Sequence, residues 1–465
     1  MAAGFLQRER IVAPPGWSRW LVPPAALSIH LAIGQAYAWS VFKTPLESTL
    51  LEGNPNAGVL SALPFTLGII MLGLSAALFG TKVDANGPRW AMAVASACFV
   101  SGFLIAAAGT ALEQYWLVIV GYGFVGGIGL GIGYISPVST LIKWFPDRPG
   151  LATGIAIMGF GGGALIASPL TTQLLGAFGG SGENAAPGGI AQTFLVMGVI
   201  YAIFMSVGWL LIRVPAEGWT PAGWDAATQK AGSLISTAQV SAANAIRTPQ
   251  FWLLWVVLCF NVTAGIGILE KASPIYRDYF PDATSPQALV AAAAGFVAIL
   301  SLANALGRLG WSSLSDVLGR KNMYRIYLGV GALLYLAITL TTNANKVVFL
   351  ICTILILSFY GAGFSTVPAY LRDLFGTYQV GAIHGRLLTA WSAAGVLGPV
   401  IVNAIADSQE AAGASGPALY TLSFSIMIGL LVVGFVCNEL IRPVNAKFHE
   451  PDADRAAPTT AGARA

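Results

Sequence analysis

Ala291-Ala-Ala-Ala-Gly-Phe-Val-Ala-Ile-Leu-Ser-Leu-Ala-Asn304-Ala-Leu-Gly-Arg308-Leu-Gly-Trp-Ser-Ser-Leu314, followed by Ser-Asp316-Val-Leu-Gly319-Arg-Lys321, is the stretch on which the reading of this chain turns. It exceeds the roughly 20 apolar residues that span a bilayer as a helix, yet it carries an arginine eight residues before Asp316. At the helical rise, that places the guanidinium roughly 12 Å from the nearest loop. A cation in hydrocarbon costs between about 2.5 and well over 10 kcal/mol, depending on the reference state. Such a charge persists only where something negative meets it. No Asp or Glu lies at comparable depth in the other apolar spans. The missing countercharge is therefore read as a bound small carboxylate.

Composition carries the membrane reading to the whole chain. Of 465 residues, 56% are hydrophobic and only 9% charged, against about 25% charged in a soluble domain. Apolar runs at 20–42, 57–80, 89–110, 115–141, 150–176, 191–213, 250–276, 286–314, 323–342, 346–370, 380–405 and 417–441 predict twelve transmembrane helices. The expected architecture is all-α, two pseudo-symmetric six-helix bundles. Its parts are a tail at 1–19, a bundle at 20–213, a polar linker at 214–249, a second bundle at 250–441 and a disordered tail at 442–465.

Charge distribution orients the chain. With the first residues in the cytoplasm, nineteen Lys and Arg fall on the cytoplasmic side and four outside, with Arg308 the remaining one. This is the positive-inside pattern and places both termini and the linker in the cytoplasm of a bacterial-type inner membrane. The basic residues orient the protein, and nothing points to nucleic acid. No apolar signal-peptide core precedes the first span. Cys98, Cys259, Cys352 and Cys437 all lie within apolar spans and read as packing thiols. No nucleophile–base set and no metal-ligand cluster is legible, so neither an enzyme, a metal nor a cofactor is expected.

The halves repeat. Asp84, Gly87 and Arg89 recur as Asp316, Gly319 and Lys321, 232 positions later. Pro137, Gly150 and Gly154 recur as Pro368, Gly381 and Gly385, 231 positions later. Internal repeats of this size mark carriers that rock two bundles about a midplane site. In each turn glycine supplies backbone freedom. The Asp is expected to pair with Arg89 or Lys321, or to cap the next helix, as a latch that holds one conformation.

In both halves this Asp/Gly/basic loop resembles the major facilitator superfamily. More narrowly, the chain looks like the oxalate/formate antiporter family, which is related to the monocarboxylate transporters. The stretches that carry the likeness are Gly34-Gln-Ala-Tyr37-Ala-Trp39-Ser40-Val-Phe42, Gly127-Ile-Gly129-Leu-Gly131-Ile-Gly133-Tyr134-Ile-Ser136-Pro137, Lys143-Trp144-Phe145-Pro146-Asp147-Arg148, Asn261-Val-Thr-Ala-Gly265 and Gly307-Arg308. The resemblance implies transport by alternating access and assigns substrate-carboxylate binding to Arg308. The family's oxalate carriers face that arginine with a lysine in the eleventh helix. Here Leu388-Thr-Ala-Trp391-Ser-Ala393 has none, and one cation balances one charge. A monocarboxylate such as formate, lactate or pyruvate is favoured. The alternatives are dicarboxylate/formate antiport, or export of neutral compounds on the same fold.

A guanidinium makes two parallel hydrogen bonds to a carboxylate, and Asn304, one turn away, is placed to orient it. Tyr37, Tyr134 and Trp391 are the favoured wall residues, ahead of Trp39, Tyr122, Asn261 and Tyr360. His30 and Glu270 are candidates for proton coupling, with His384 and Lys271 beside them in the argument. The expected partners are a small carboxylate, the bilayer and either protons or a counter-anion, and the expected state is a monomer.

Overall fold

The computed structural model describes residues 4–181, 185–224, 234–236, 238–281, 285–341 and 345–451. Among them run twelve long apolar helices: α1 (Arg19–Glu47), α2 (Ala57–Asn86), α3 (Pro88–Ala111), α4 (Tyr115–Trp144), α5 (Pro149–Ala177), α6 (Pro187–Leu211), α7 (Pro249–Glu270), α8 (Pro286–Leu318), α9 (Arg320–Leu340), α10 (Lys346–Phe375), α11 (Val380–Ala411) and α12 (Ala418–Leu440). Each coincides with one expected span, with ends moved by a few residues. The seventh ends short of its expected bound, where the chain breaks at Lys271 and restarts as a short helix, Ala272–Tyr279. Large apolar side chains such as Leu78, Ile203, Leu333 and Val347 point outward into what would be lipid.

Helices α1–α6 form one bundle and α7–α12 the other. They meet chiefly through α2 and α5 of the first and α8, α10 and α11 of the second. Helices α1 and α7 pack chiefly within their own bundles. Glycine makes the seam close. A Cβ on Gly80 of α2 would lie 2.7 Å from the Ala382 Cα of α11, and one on Gly154 of α5 would lie 2.8 Å from the Arg308 carbonyl. Gly150 and Gly385 likewise leave no room for a side chain against Ser312 and Ala76. Cross-seam bonds add to this: the Thr153 hydroxyl donates to the Ser365 carbonyl at 2.7 Å and the Ser392 hydroxyl to the Ile69 carbonyl at 2.8 Å.

The repeat is visible as geometry. Helix α2 passes to α3 through Gly87 alone (φ 88°), and α8 passes to α9 through Gly319 alone (φ 85°); both glycines are in the left-handed region. The face that carries these turns, the linker and both terminal segments is the basic face.

The sequence suggested that these carboxylates latch onto Arg89 and Lys321, and neither does. Asp84 crosses the seam and accepts the Ala382 amide at 2.8 Å, at the start of α11. Asp316 makes the mirror contact, accepting the Gly150 and Leu151 amides at 2.9 Å each, at the start of α5. A helix N-terminus offers unpaired amides and the positive end of its dipole, so it competes well for a carboxylate. Arg89 donates instead to the Trp209 and Leu210 carbonyls at 3.1 Å each, at the end of α6. Lys321 donates to the Glu439 and Ile441 carbonyls at 2.8 and 3.1 Å, at the end of α12. Each basic residue thus caps the last helix of its own half. The second half adds Arg320, which joins Asp316 at 2.6 Å to Asp373 at 3.3 Å. The equivalent position in the first half is Pro88.

Terminal segments strap this face. Phe5 packs edge-on against Trp209 and under the Arg89 guanidinium at 4.8 Å, Ile11 is fully buried, and Val12 bridges to Val214. At the other end, residues 442–451 correct the expectation of a free tail. Glu450 donates its amide to the Gln239 carbonyl at 2.8 Å and accepts from Asn244 at 3.0 Å, which ties the segment to the linker. Residues 452–465 lie outside the described residues, as does the side chain of Glu270.

A Gly385→Val variant is expected to wedge α2 from α11 at this face. The distance between spin labels on the basic-face ends of the two helices lengthens relative to the parent, and an unchanged distance would contradict the close seam.

Candidate functional site

Arg308 is completely buried where α5, α8 and α10 converge. Three glycines make that possible. Gly307 and Gly361 bring the α8 and α10 backbones into contact, and Gly161 of α5 leaves space for the guanidinium, whose Nε would lie 2.7 Å from a Cβ there. The Arg308 Nε donates to Asn304 Oδ1 at 3.1 Å, one turn back along α8. Its Nη1 donates to the Ile157 carbonyl of α5 at 3.3 Å. Nη2 has no partner. Among the described residues Arg308 enters no ion pair.

Aromatic rings surround the charge instead. The guanidinium carbon lies 5.8 Å from the Phe160 ring of α5 and 5.2 Å from the Phe364 ring of α10. Ring faces hold a cation with about 0.5–2 kcal/mol without neutralising it. Trp391 of α11 packs on both rings, at 4.4 Å from Phe364 and 5.2 Å from Phe160. Tyr134 of α4 lies 5.4 Å from Phe160 and 5.4 Å from Trp391. Tyr37 of α1 packs edge-on against Phe160 at 5.2 Å, and its hydroxyl meets the Tyr360 hydroxyl of α10 at 3.0 Å. Tyr37 is placed by the 3-10 turn Gly34–Ala38, where glycine lets α1 approach the Phe160 backbone. It is half-buried while Arg308 is sealed, so the Tyr37–Tyr360 pair covers the site across the two bundles.

The unmet donors define what the cluster can hold. Arg308 Nη2, the Tyr134 hydroxyl and Trp391 Nε1 are all buried, all without hydrogen-bond partners and all within this one group of rings. Buried donors left unpaired cost about 1–3 kcal/mol each. An anionic ligand with acceptor oxygens and a small apolar body satisfies them together, and the ring walls fit the apolar part.

The structure brings five of the sequence candidates to one place: Arg308, Asn304, Tyr37, Tyr134 and Trp391. It adds Tyr360, a weaker candidate, and two residues that sequence reasoning passed over, Phe160 and Phe364. Trp39, Tyr122 and Asn261 are elsewhere. Trp39 donates to the Ser61 carbonyl at 2.8 Å, Tyr122 to Gln35 at 3.0 Å, and Asn261 to the Phe359 carbonyl at 3.4 Å, all as packing contacts within their own bundles. His30 and His384 lie beside Tyr134, with ring centroids 5.4 and 5.8 Å from it. At the basic face, below the site, Arg19 donates to Asp147 through Nη1 and Nη2, at 2.6 and 2.9 Å. Burial alone would raise the Asp147 carboxyl; the Arg19 bonds and charge outweigh it and hold the group below its ordinary value. That clasp therefore persists above the usual carboxylate range and is lost only as pH falls through the lowered pKa.

The Major Facilitator Superfamily model matches residues 25–399, with a second match over 291–463, and the chain belongs to that family. It is a multi-pass integral membrane transporter, not an enzyme. The chain is 25% identical over 428 residues to an oxalate:formate antiporter of Oxalobacter formigenes, covering 92% of this chain and 93% of that one. It is 25% identical over 460 residues to apicoplast pyruvate carrier 1 of Toxoplasma gondii, covering 88% and 79%. Among solved structures it resembles a Major Facilitator Superfamily transporter, FucP, in the outward conformation, with a TM-score of 0.65 at 14% identity over 90% of this chain and 98% of that one.

Tyr134→Phe removes a hydroxyl that has no hydrogen-bond partner among the described residues. The variant is expected to keep or raise its melting temperature while ligand affinity drops about tenfold or more, the weight of a hydrogen bond to a charged group. Thermal unfolding with and without ligand measures both. A lowered melting temperature in the ligand-free variant would mean the hydroxyl is structural.

Proposed function

We propose that the protein carries small monocarboxylates across the membrane by alternating access. The observation that carries this reading is the buried guanidinium with one nitrogen unmet and, among the described residues, no carboxylate paired with it. A solute bearing one negative charge completes it. Tyr134 and Trp391 supply further donors, and Phe160 and Phe364 give the solute's short apolar part a wall. Arg308, Asn304, Tyr37, Tyr134, Tyr360 and Trp391 form the binding site in this reading. Two relatives whose names specify carboxylates, an oxalate:formate antiporter and a pyruvate carrier, support the substrate class.

Dicarboxylate exchange fits less well. A second carboxylate would need a second cation at the site, and α11 offers Trp391 there rather than lysine. A neutral solute could accept a hydrogen bond from Arg308 but would leave its charge uncompensated. The alternating movement opens the basic face by releasing Asp84 from α11 and Asp316 from α5, and each contact is worth only about 0.3–2 kcal/mol, small enough to break in every cycle. The excess of Lys and Arg on that face supports a cytoplasmic position for it and for both terminal segments, in a bacterial-type inner membrane. One chain encloses the whole site, which supports a monomer as the working unit.

Purified protein in proteoliposomes is expected to exchange labelled formate, lactate or pyruvate. Oxalate competes about tenfold or more less well, since its second charge stays unpaired. Arg308→Gln inserts normally but loses exchange by about thirtyfold or more, the usual consequence of removing one side of a buried charge contact. Arg308→Lys is also impaired, because an ammonium lacks the planar fork. Parental exchange in Arg308→Gln would remove this residue from the mechanism.

A further inference from the structure

We propose that the cleft between Arg8 and Lys143 on the basic face binds a phosphate group, and that a filled cleft holds this face shut. The effect on transport rests on the alternating movement proposed above; the binding itself does not.

The cleft lies within the first half, under the N-terminal strap. Its polar wall is Arg8 of the strap, Asp84 of α2, and Ser139, Thr140 and Lys143 of α4, with Pro215 of the linker closing one side. It encloses about 40 Å³. A water needs about 10–15 Å³ of such space, so there is room for about three waters or one tetrahedral oxyanion. Gly87 lets the strap come close, since a Cβ there would lie 3.1 Å from the Arg8 Cβ. The buried Ile11 and the bridge from Val12 to Val214 hold the strap in place.

Two cations face this space, and neither is spent elsewhere. Among the described residues Arg8 and Lys143 make no ion pair and donate no side-chain hydrogen bond. The other charges nearby are committed or lie outside. Arg89 and Arg213 donate to carbonyls at the end of α6. Lys82 stands over the Phe79 ring at 5.6 Å, and Asp147 pairs with Arg19 and Arg148. Glu9 and Glu217 are exposed and pair with neither cation. Asp84 is the carboxylate on the wall, and it is turned to the Ala382 amide. Two positive charges against one negative favour an anion.

The hydroxyls select its kind. Ser139 and Thr140 both donate to the Ser136 carbonyl, at 3.0 and 2.9 Å. Their oxygens are left to act as acceptors. A hydrogen phosphate meets both demands, with oxygens for the guanidinium and the ammonium and an O–H for a hydroxyl oxygen. Sulfate and carboxylates near neutral pH carry no such O–H. Inorganic phosphate and the monoester head of phosphatidic acid share this chemistry.

Occupancy acts on the seam through Asp84. Lys143 and Arg8 are the cations whose fields reach that carboxylate, and they draw it from α11 toward the cleft. A phosphate between them cancels the pull and repels Asp84, which favours its contact with α11. By linkage, phosphate binds more tightly when the face is shut.

The test uses the full purified chain and inorganic phosphate. In detergent, isothermal titration is expected to show one phosphate per chain, with sulfate about tenfold or more weaker at equal ionic strength. Arg8→Gln and Lys143→Gln each weaken phosphate about tenfold, the weight of one hydrogen bond to a charged group. Arg8 is exposed, so its variant answers even if Lys143→Gln misfolds. In proteoliposomes with phosphate on both sides, labelled-lactate exchange by the parent slows about fivefold relative to chloride. Either variant loses most of that slowing, read as the ratio of its own two rates. If free phosphate does not bind, nanodiscs with phosphatidic acid in place of part of their phosphatidylcholine decide the source. A melting temperature raised in the parent but not in the variants assigns the site to the lipid head. No titration together with equal stability in both lipids overturns the site, as does phosphate binding that both variants retain. Binding that leaves exchange unchanged overturns the lock alone. Absence of any carboxylate exchange overturns the substrate reading and leaves the titration to judge the cleft.

Discussion

A buried guanidinium that the protein itself does not neutralise is the constraint around which the rest is arranged. Arg308 is tolerated because Asn304 and the Ile157 carbonyl take two of its nitrogens and two ring faces take its charge without cancelling it. A carboxylate side chain in place of Phe160 or Phe364 would neutralise the charge, and in the proposed reading it would compete with the solute for the same fork. The aromatic wall keeps the charge available. The glycines at 161, 307 and 361 are part of the same design, since the arginine reaches this depth only where helix backbones touch.

The seam at the basic face follows a different logic. Its cross-seam contacts are carboxylates on helix N-termini, one from each half, arranged by the pseudo-twofold relation. Across the seam the donors are backbone amides, so no long side chain of the opposite bundle has to be ordered for the contact to re-form. The extra Arg320–Asp373 bond makes the second half the better-braced side of this pair. The bundles can then move as units while the contacts at the seam exchange.

Much of this was readable from residues alone, for physical reasons. Twelve spans stand out because apolar runs of bilayer length are statistically unmistakable, and the repeat stands out because Gly87 and Gly319 need the same backbone. Arg308 is legible because a charge in hydrocarbon has to be explained, and Tyr134 and Trp391 because polar-tipped aromatics in spans are candidate walls. Phe160 and Phe364 were not legible. A phenylalanine in an apolar helix carries no mark of which face it occupies, and that face is set here by glycine contacts between helices distant in sequence. The partners of Asp84 and Asp316 were missed for a related reason. Local spacing favours the basic residue of the same loop, but the side chains leave the helix end toward the other bundle. His384 gained its place only when α11 was packed against α4.

The contact between Val12 and Val214 carries one last implication, for biogenesis. The opening segment of the chain can find its seat only once the sixth helix has been made and the start of the linker has emerged behind it. Both sides of that clasp precede α7 in the chain, so nothing in the contact has to wait for the second bundle.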